Sequence, residues 1–141
     1  MKRALLGTGL ATIAVLAVMA GRLAPAAAQD NDWTEIQRGL YLTRAGDCAA
    51  CHSVVGQAPF SGGYALATPF GTIYSANLTP DADTGLGRWS EADFYRAMNE
   101  GLSKDGSRLY PAFPYTHFTY ATRDDVDAIF AYLNTLEPVR N

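Results

Sequence analysis

Two cysteines and two histidines are the residues of this 141-residue chain best suited to holding a metal or a prosthetic group. Three of the four stand together: Cys48-Ala49-Ala50-Cys51-His52 sets two thiols on one helical turn and an imidazole directly after the second. With that spacing the two sulfurs can reach the vinyl groups on adjacent edges of one porphyrin, and the next residue then lies beneath the iron. The pattern predicts one covalently attached haem c, with His52 as the proximal ligand. Other uses of the same residues fit less well. A thioredoxin-like dithiol belongs to a βαβ unit, whose strands are not evident. A zinc finger wants its two histidines three to five residues apart, and His117 is remote from His52. A disulfide between Cys48 and Cys51 would close a very tight loop.

A second axial ligand has two candidates, because Met1 and Met19 fall in a leader described below. Met98 lies on the apolar face of a predicted helix, four residues after Phe94, where methionine ordinarily packs. His117 lies in Tyr110-Pro111-Ala112-Phe113-Pro114-Tyr115-Thr116-His117-Phe118, an aromatic loop stiffened by two prolines. His117 is the favoured ligand; Met98 and an open or water-bound iron are the alternatives.

Three helices are expected to position these groups. The first runs from about Trp33 to Arg44, with Ile36, Gly39, Leu40 and Thr43 on one stripe and Asp32 as N-cap. Glycine on a buried stripe costs a helix about 1 kcal/mol relative to alanine, so Gly39 points to another backbone crossing close by. The second starts at Ser90 with Asp93 in a capping-box arrangement, buries Phe94, Ala97 and Met98, and stops at Gly101. The third starts at Thr122, places Val126, Ile129, Phe130 and Leu133 on one face, and is closed by Pro138. Between His52 and Trp89 no sustained period is visible. So long a loop suits a small domain only if it wraps a bulky cofactor, for which Tyr64, Leu66, Phe70, Ile73 and Tyr74 supply apolar surface. Asp81, Asp83 and Gly85 resemble a calcium loop, but Leu86 and Ala92 occupy the positions that need Gly and Glu. An Asx-rich turn is the better reading.

Residues 1–28 read as a signal peptide. Lys2 and Arg3 precede an uncharged apolar run from Ala4 to Ala20, and Ala26, Ala27 and Ala28 offer a cleavage site before Gln29. Cleavage leaves residues 29–141 as one domain exported to the periplasm. Losing Lys2, Arg3 and Arg22 leaves 8 of the 11 basic residues against 14 acidic ones, a net charge of −6. No basic stripe could neutralise phosphates, which excludes nucleic acid as a ligand. A basic surface on a protein partner suits this charge better.

The chain resembles the first haem domain of the cytochrome c subunits of bacterial periplasmic dehydrogenases for alcohols, aldehydes and sugar acids. The resemblance covers residues 36–138 and rests on Ala45-Gly46-Asp47-Cys48-Ala49-Ala50-Cys51-His52, Thr68-Pro69-Phe70-Gly71-Thr72-Ile73-Tyr74-Ser75, Asn77-Leu78-Thr79-Pro80-Asp81 and Leu109-Tyr110-Pro111-Ala112-Phe113-Pro114-Tyr115. It implies an all-α fold: a single cytochrome c domain with three main helices and a long haem-wrapping loop, its first and last helices crossing near Gly39. It further implies that Tyr74, Asn77 and Trp89 line the haem or contact its propionates. Many relatives carry methionine as distal ligand where this chain has Phe113, which cannot bind iron. Others have Phe there and a histidine a few residues on, as at His117.

The function so implied is single-electron transfer by a monohaem carrier, not an enzyme. A periplasmic dehydrogenase is the expected donor, and a membrane oxidase or another cytochrome the expected acceptor. Such subunits often carry three haem domains and an anchor, so a chain with one is expected to be a free-standing carrier or a small docked subunit. A vacant sixth position would instead suit a haem-based sensor or a peroxidase-like enzyme, with His117 as acid or base.

Overall fold

The computed structural model describes residues 27–141, with side chains from Thr34 onward. The expected leader thus lies, except for its last two residues, outside the described residues. Four helices and a two-stranded sheet follow in the order α1 (Ala27–Ala45), α2 (Cys48–His52), β1 (Ala65–Thr68), β2 (Gly71–Tyr74), α3 (Glu91–Glu100), a single 3-10 turn (Tyr115–His117) and α4 (Arg123–Leu133). Among the described residues no helix is long and apolar enough to cross a membrane.

The core forms where α1 and α3 meet α4. Phe94 and Met98 of α3 bury themselves with Leu86 and Phe60 against Val126, Ile129, Phe130 and Leu133 of α4. The Phe94 and Phe130 rings meet with centroids 5.2 Å apart. The α1–α4 crossing depends on Gly39: a Cβ there would stand 1.9 Å from the Ala128 carbonyl oxygen. The glycine expected to admit a crossing backbone therefore does so. Arg38 and Asp125 brace the same pair of helices with an ion pair of 2.6 Å.

The helix starts follow the caps. Ser90 accepts from the Asp93 amide while the Asp93 carboxylate takes the Ser90 amide, a reciprocal capping box, and Gly101 ends α3 at φ 66°. Thr122 caps α4 through the Asp125 amide. Two boundaries differ from expectation. Helix α1 is already helical at Ala27, the first described residue, so Asp32 sits inside it and does not cap it. Helix α4 ends at Leu133, well before Pro138. Its end is set by Asn134, whose side-chain amide donates to the Phe130 carbonyl.

The fold is also not wholly α. Within the stretch expected to be irregular, β1 pairs antiparallel with β2, Ala65 opposite Tyr74 and Thr68 opposite Gly71. Thr68 clasps the turn, its hydroxyl donating to the Gly71 carbonyl and accepting from the Phe70 amide. Pairing continues past the strands, with the Gly63 amide on the Ser75 carbonyl and the Ser75 amide on the Tyr64 carbonyl. The base of the hairpin thus carries residue 76 to residue 62. Farther on, Asp81 accepts from the amides of Asp83 and Thr84 and from the Thr84 hydroxyl, the Asx turn expected there.

Candidate haem-attachment site

The C-x-x-C-H segment is itself a helix. Helix α1 gives out at Ala45, where the Gly46 amide still reaches the Leu42 carbonyl. Asp47 then turns the chain in the left-handed region at φ 51°, a conformation that Asp tolerates better than most residues. Helix α2 follows immediately, carrying Cys48 near its start and Cys51 and His52 at its end. Both thiols are free; Cys48 is half-buried and Cys51 exposed. Burial raises the Cys48 pKa, opposed by its own backbone hydrogen bond. An activated redox dithiol needs the opposite shift, toward thiolate.

His52 is fixed by one contact. Its Nδ1 lies 2.7 Å from the Ala76 carbonyl oxygen. A carbonyl only accepts, so Nδ1 carries the proton and Nε2 keeps its lone pair for a metal. Burial lowers the His52 pKa, partly offset by this hydrogen bond, and so favours the neutral ring that ligation requires. The carbonyl is held in turn. The hairpin brings Ala76 across Gly62, whose amide donates to the His52 carbonyl at 2.9 Å. Gly62 adopts φ +76°, and a Cβ on it would fall 2.5 Å from the Ala76 oxygen.

The second histidine sits on a loop anchored at both ends. Tyr115 packs its ring against Gly101, where an added Cβ would meet it at 2.7 Å. Phe118 reaches the α1–α2 turn: its ring and the Cys48 sulfur lie 3.5 and 3.6 Å from where a Gly46 Cβ would stand. Phe113 stacks on Phe118 with centroids 5.6 Å apart. The proline-stiffened loop therefore borders the cysteine-bearing helix, with His117 exposed on the 3-10 turn just before Phe118. Met98, by contrast, is buried to 6% exposure among the α3–α4 core side chains.

Asn77, which the resemblance places at the haem or its propionates, spends its polar atoms on partners within the protein. Its amide nitrogen donates to the Thr84 hydroxyl and the Val139 carbonyl, and its oxygen accepts from the Thr79 amide and hydroxyl. Those bonds occupy both donors and the acceptor. Tyr74 is exposed on β2, and Trp89 packs against the core. Sequence reasoning missed Ala76 and Gly62. A backbone carbonyl carries no residue-type signature, and only the Gly62-Gly63 pair hinted that chains approach closely there.

A model of the cytochrome c family matches residues 36–137, and the chain belongs to that family. Covalent haem c is the prosthetic group of the class. The donor set fits it: two unbridged thiols on one short helix beside an imidazole with its tautomer fixed and one nitrogen free. The chain is 55% identical over 74% of its length to a subunit of the nicotinate dehydrogenase of Pseudomonas putida. It is 48% identical over 84% to the gluconate 2-dehydrogenase cytochrome c subunit of Pantoea cypripedii. It is 42% identical over 89% to the cytochrome c subunit of the quinone alcohol dehydrogenase of Gluconacetobacter polyoxogenes. It spans 9% of the length of the first and 27% of each of the other two.

Proposed function

We propose that this chain holds a single haem c through thioether bonds to Cys48 and Cys51, with His52 Nε2 and His117 as axial ligands. In this reading it carries single electrons in the periplasm, from a dehydrogenase toward an oxidase or a further cytochrome. The observation that carries the proposal is the His52 Nδ1 hydrogen bond to Ala76, which reserves the opposite nitrogen for iron. Haem c bound there supplies a one-electron ferric/ferrous couple. The chain's own residues do the rest. The Ala76 carbonyl orients His52 and increases its electron donation. Phe113 and Phe118 place an apolar wall next to Cys48. Exposed Cys51 puts the point of attachment at the surface, where a partner can approach.

His117 is favoured as the sixth ligand because its loop borders the α1–α2 turn while Met98 is occupied in the core. A His/His pair predicts a lower potential than a His/Met pair, because methionine ligation raises it. The test is the absorption spectrum of the holoprotein, oxidised and reduced, for wild type, His117→Ala and Met98→Ala. Bis-histidine carriage requires a low-spin wild type that resists carbon monoxide, with His117→Ala alone turning high-spin and binding the gas. A wild type that is already high-spin and binds carbon monoxide would favour a sensor or a peroxidase-like enzyme.

A further inference from the structure

Residues 139–141 lie far from His52 in sequence, yet they fasten the two loops that present Ala76 to it. One loop is residues 60–63, whose Gly62 lies under the Ala76 carbonyl. The other is residues 75–79, which contains Ala76. The two are joined by backbone bonds from Gly63 to Ser75 and from Leu78 to Phe60. Each is then gripped by the tail. The Val139 carbonyl takes the Asn77 amide at 2.7 Å and the Thr79 hydroxyl at 3.3 Å, and the Val139 amide donates to that hydroxyl at 3.1 Å. The Asn141 side chain donates to the Ser61 carbonyl at 2.9 Å, and its amide to the Thr84 hydroxyl at 3.2 Å. Arg140 adds an ion pair to Asp83 at 3.0 Å, with both side chains at least half exposed.

The burial is unequal in a telling way. Asn77, Thr79 and Ser61 are at most 7% exposed, although they lie in loops. Buried polar groups left without partners cost about 1–3 kcal/mol each, so these residues favour a conformation in which the tail is seated. Seating the tail fixes Asn77 and Thr79, just after Ala76, and Ser61, next to the Gly62 that packs against it, and Ala76 is the acceptor that orients His52.

We infer that Val139 and Asn141, with Asn77 and Thr79, form a strap that holds the Ala76 carbonyl on His52 and so sets the reduction potential of the bound iron. The inference rests on His52 being the proximal ligand. Its residues are positioning residues, acting through Ala76. A firm Nδ1 hydrogen bond makes the imidazole a stronger donor and stabilises ferric iron. Loosening the strap weakens that bond, and the potential rises.

The test uses the full-length holoprotein with three substitutions and one control. Thr79→Val keeps the side-chain volume but removes the hydroxyl that bridges Asn77 and Val139. Asn141→Ala removes only the bond to Ser61 and is mild enough to leave the fold in place. Thr79→Ser restores the hydroxyl. Arg140→Ala, the control, breaks an exposed ion pair of little energetic weight. Each is read by redox titration and by the exchange rate of the His52 Nδ1 proton in the low-spin ferric form, with histidine labelled for NMR. For Thr79→Val and Asn141→Ala the proton should exchange about fivefold faster. The redox equilibrium should move toward ferrous iron by about twofold or more. Thr79→Ser and Arg140→Ala should match wild type. If the strap variants lose thermal stability while proton exchange and potential stay at wild-type values, the tail is only structural and the inference falls. If wild type shows no iron-shifted His52 proton, ligation by His52 fails and the strap falls with it.

Discussion

At the scale of single residues, the site is assembled from contacts that leave little room for change. Gly62 is the clearest case, because φ +76° excludes a Cβ on conformational grounds and the Ala76 carbonyl excludes it on steric ones. Gly62→Ala should cost about 2–3 kcal/mol, read as a lower denaturant midpoint with an unchanged slope. It should also disturb His52, since the carbonyl that must move is the one His52 donates to. A variant as stable as wild type would mean that the two loops are not locked together. The cysteines make a second, chemical prediction. Cys51→Ser should keep haem attached through Cys48 alone and shift the reduced pyridine complex toward the spectrum of a singly attached haem. Replacing both cysteines by serine should let haem be extracted by acidified organic solvent. These residues were legible in the sequence because five consecutive positions carry the whole pattern. The Ala76 carbonyl was not, because any residue could have supplied it.

At the scale of elements, what could be read and what could not divide along local and non-local physics. The starts of α3 and α4 were readable from Ser90 with Asp93 and Thr122 with Asp125, since a cap is satisfied within one turn. Gly39 announced a close backbone crossing because a glycine on a buried stripe has few other uses, and the resemblance assigned that crossing to the last helix. The hairpin stayed hidden. Its strands are only four residues each, too short to show alternation, and its Pro69-Phe70 turn lacks the usual Asn-Gly signature. The end of α4 was misplaced at Pro138 because Asn134 ends it by a side-chain bond with no strong sequence mark. Two outcomes belong to this scale. Gly39→Ala should destabilise by about 3 kcal/mol or more, because the opposing atom is backbone and cannot turn aside. The α3 cap should give an acid-sensitive contribution. The Ser90 amide and hydroxyl, with Arg96, hold the Asp93 pKa down from 3.8 to about 2. A depressed carboxylate stabilises the fold above its unfolded pKa, and that share is lost as pH falls from about 4 to about 2. Asp93→Asn should lower the melting temperature near neutrality and flatten its pH dependence across that window.

At the scale of the whole molecule, the property that reaches furthest is charge. Removing residues 1–28 would leave a net charge of −6, in a chain whose proposed work is brief encounter with partners. Charge of one sign steers an oppositely charged partner over distances comparable to the Debye length, about 10 Å at 0.1 M salt. Association with a partner that presents a basic face should therefore be fast at low ionic strength and fall about tenfold or more as salt is raised to about 0.5 M. The measurement is stopped-flow reduction of the ferric protein by a small cationic reductant and by an anionic one across a salt series. The two should show slopes of opposite sign, the cationic reagent slowing with salt and the anionic one quickening. Identical, flat profiles would mean that the acidic side chains lie away from the route by which electrons enter. Partner choice would then rest on the exposed aromatics Phe70, Tyr74 and Tyr120. Opposite slopes would place the acidic field over that route, and a dehydrogenase suited to this carrier would present lysines or arginines where the two proteins meet.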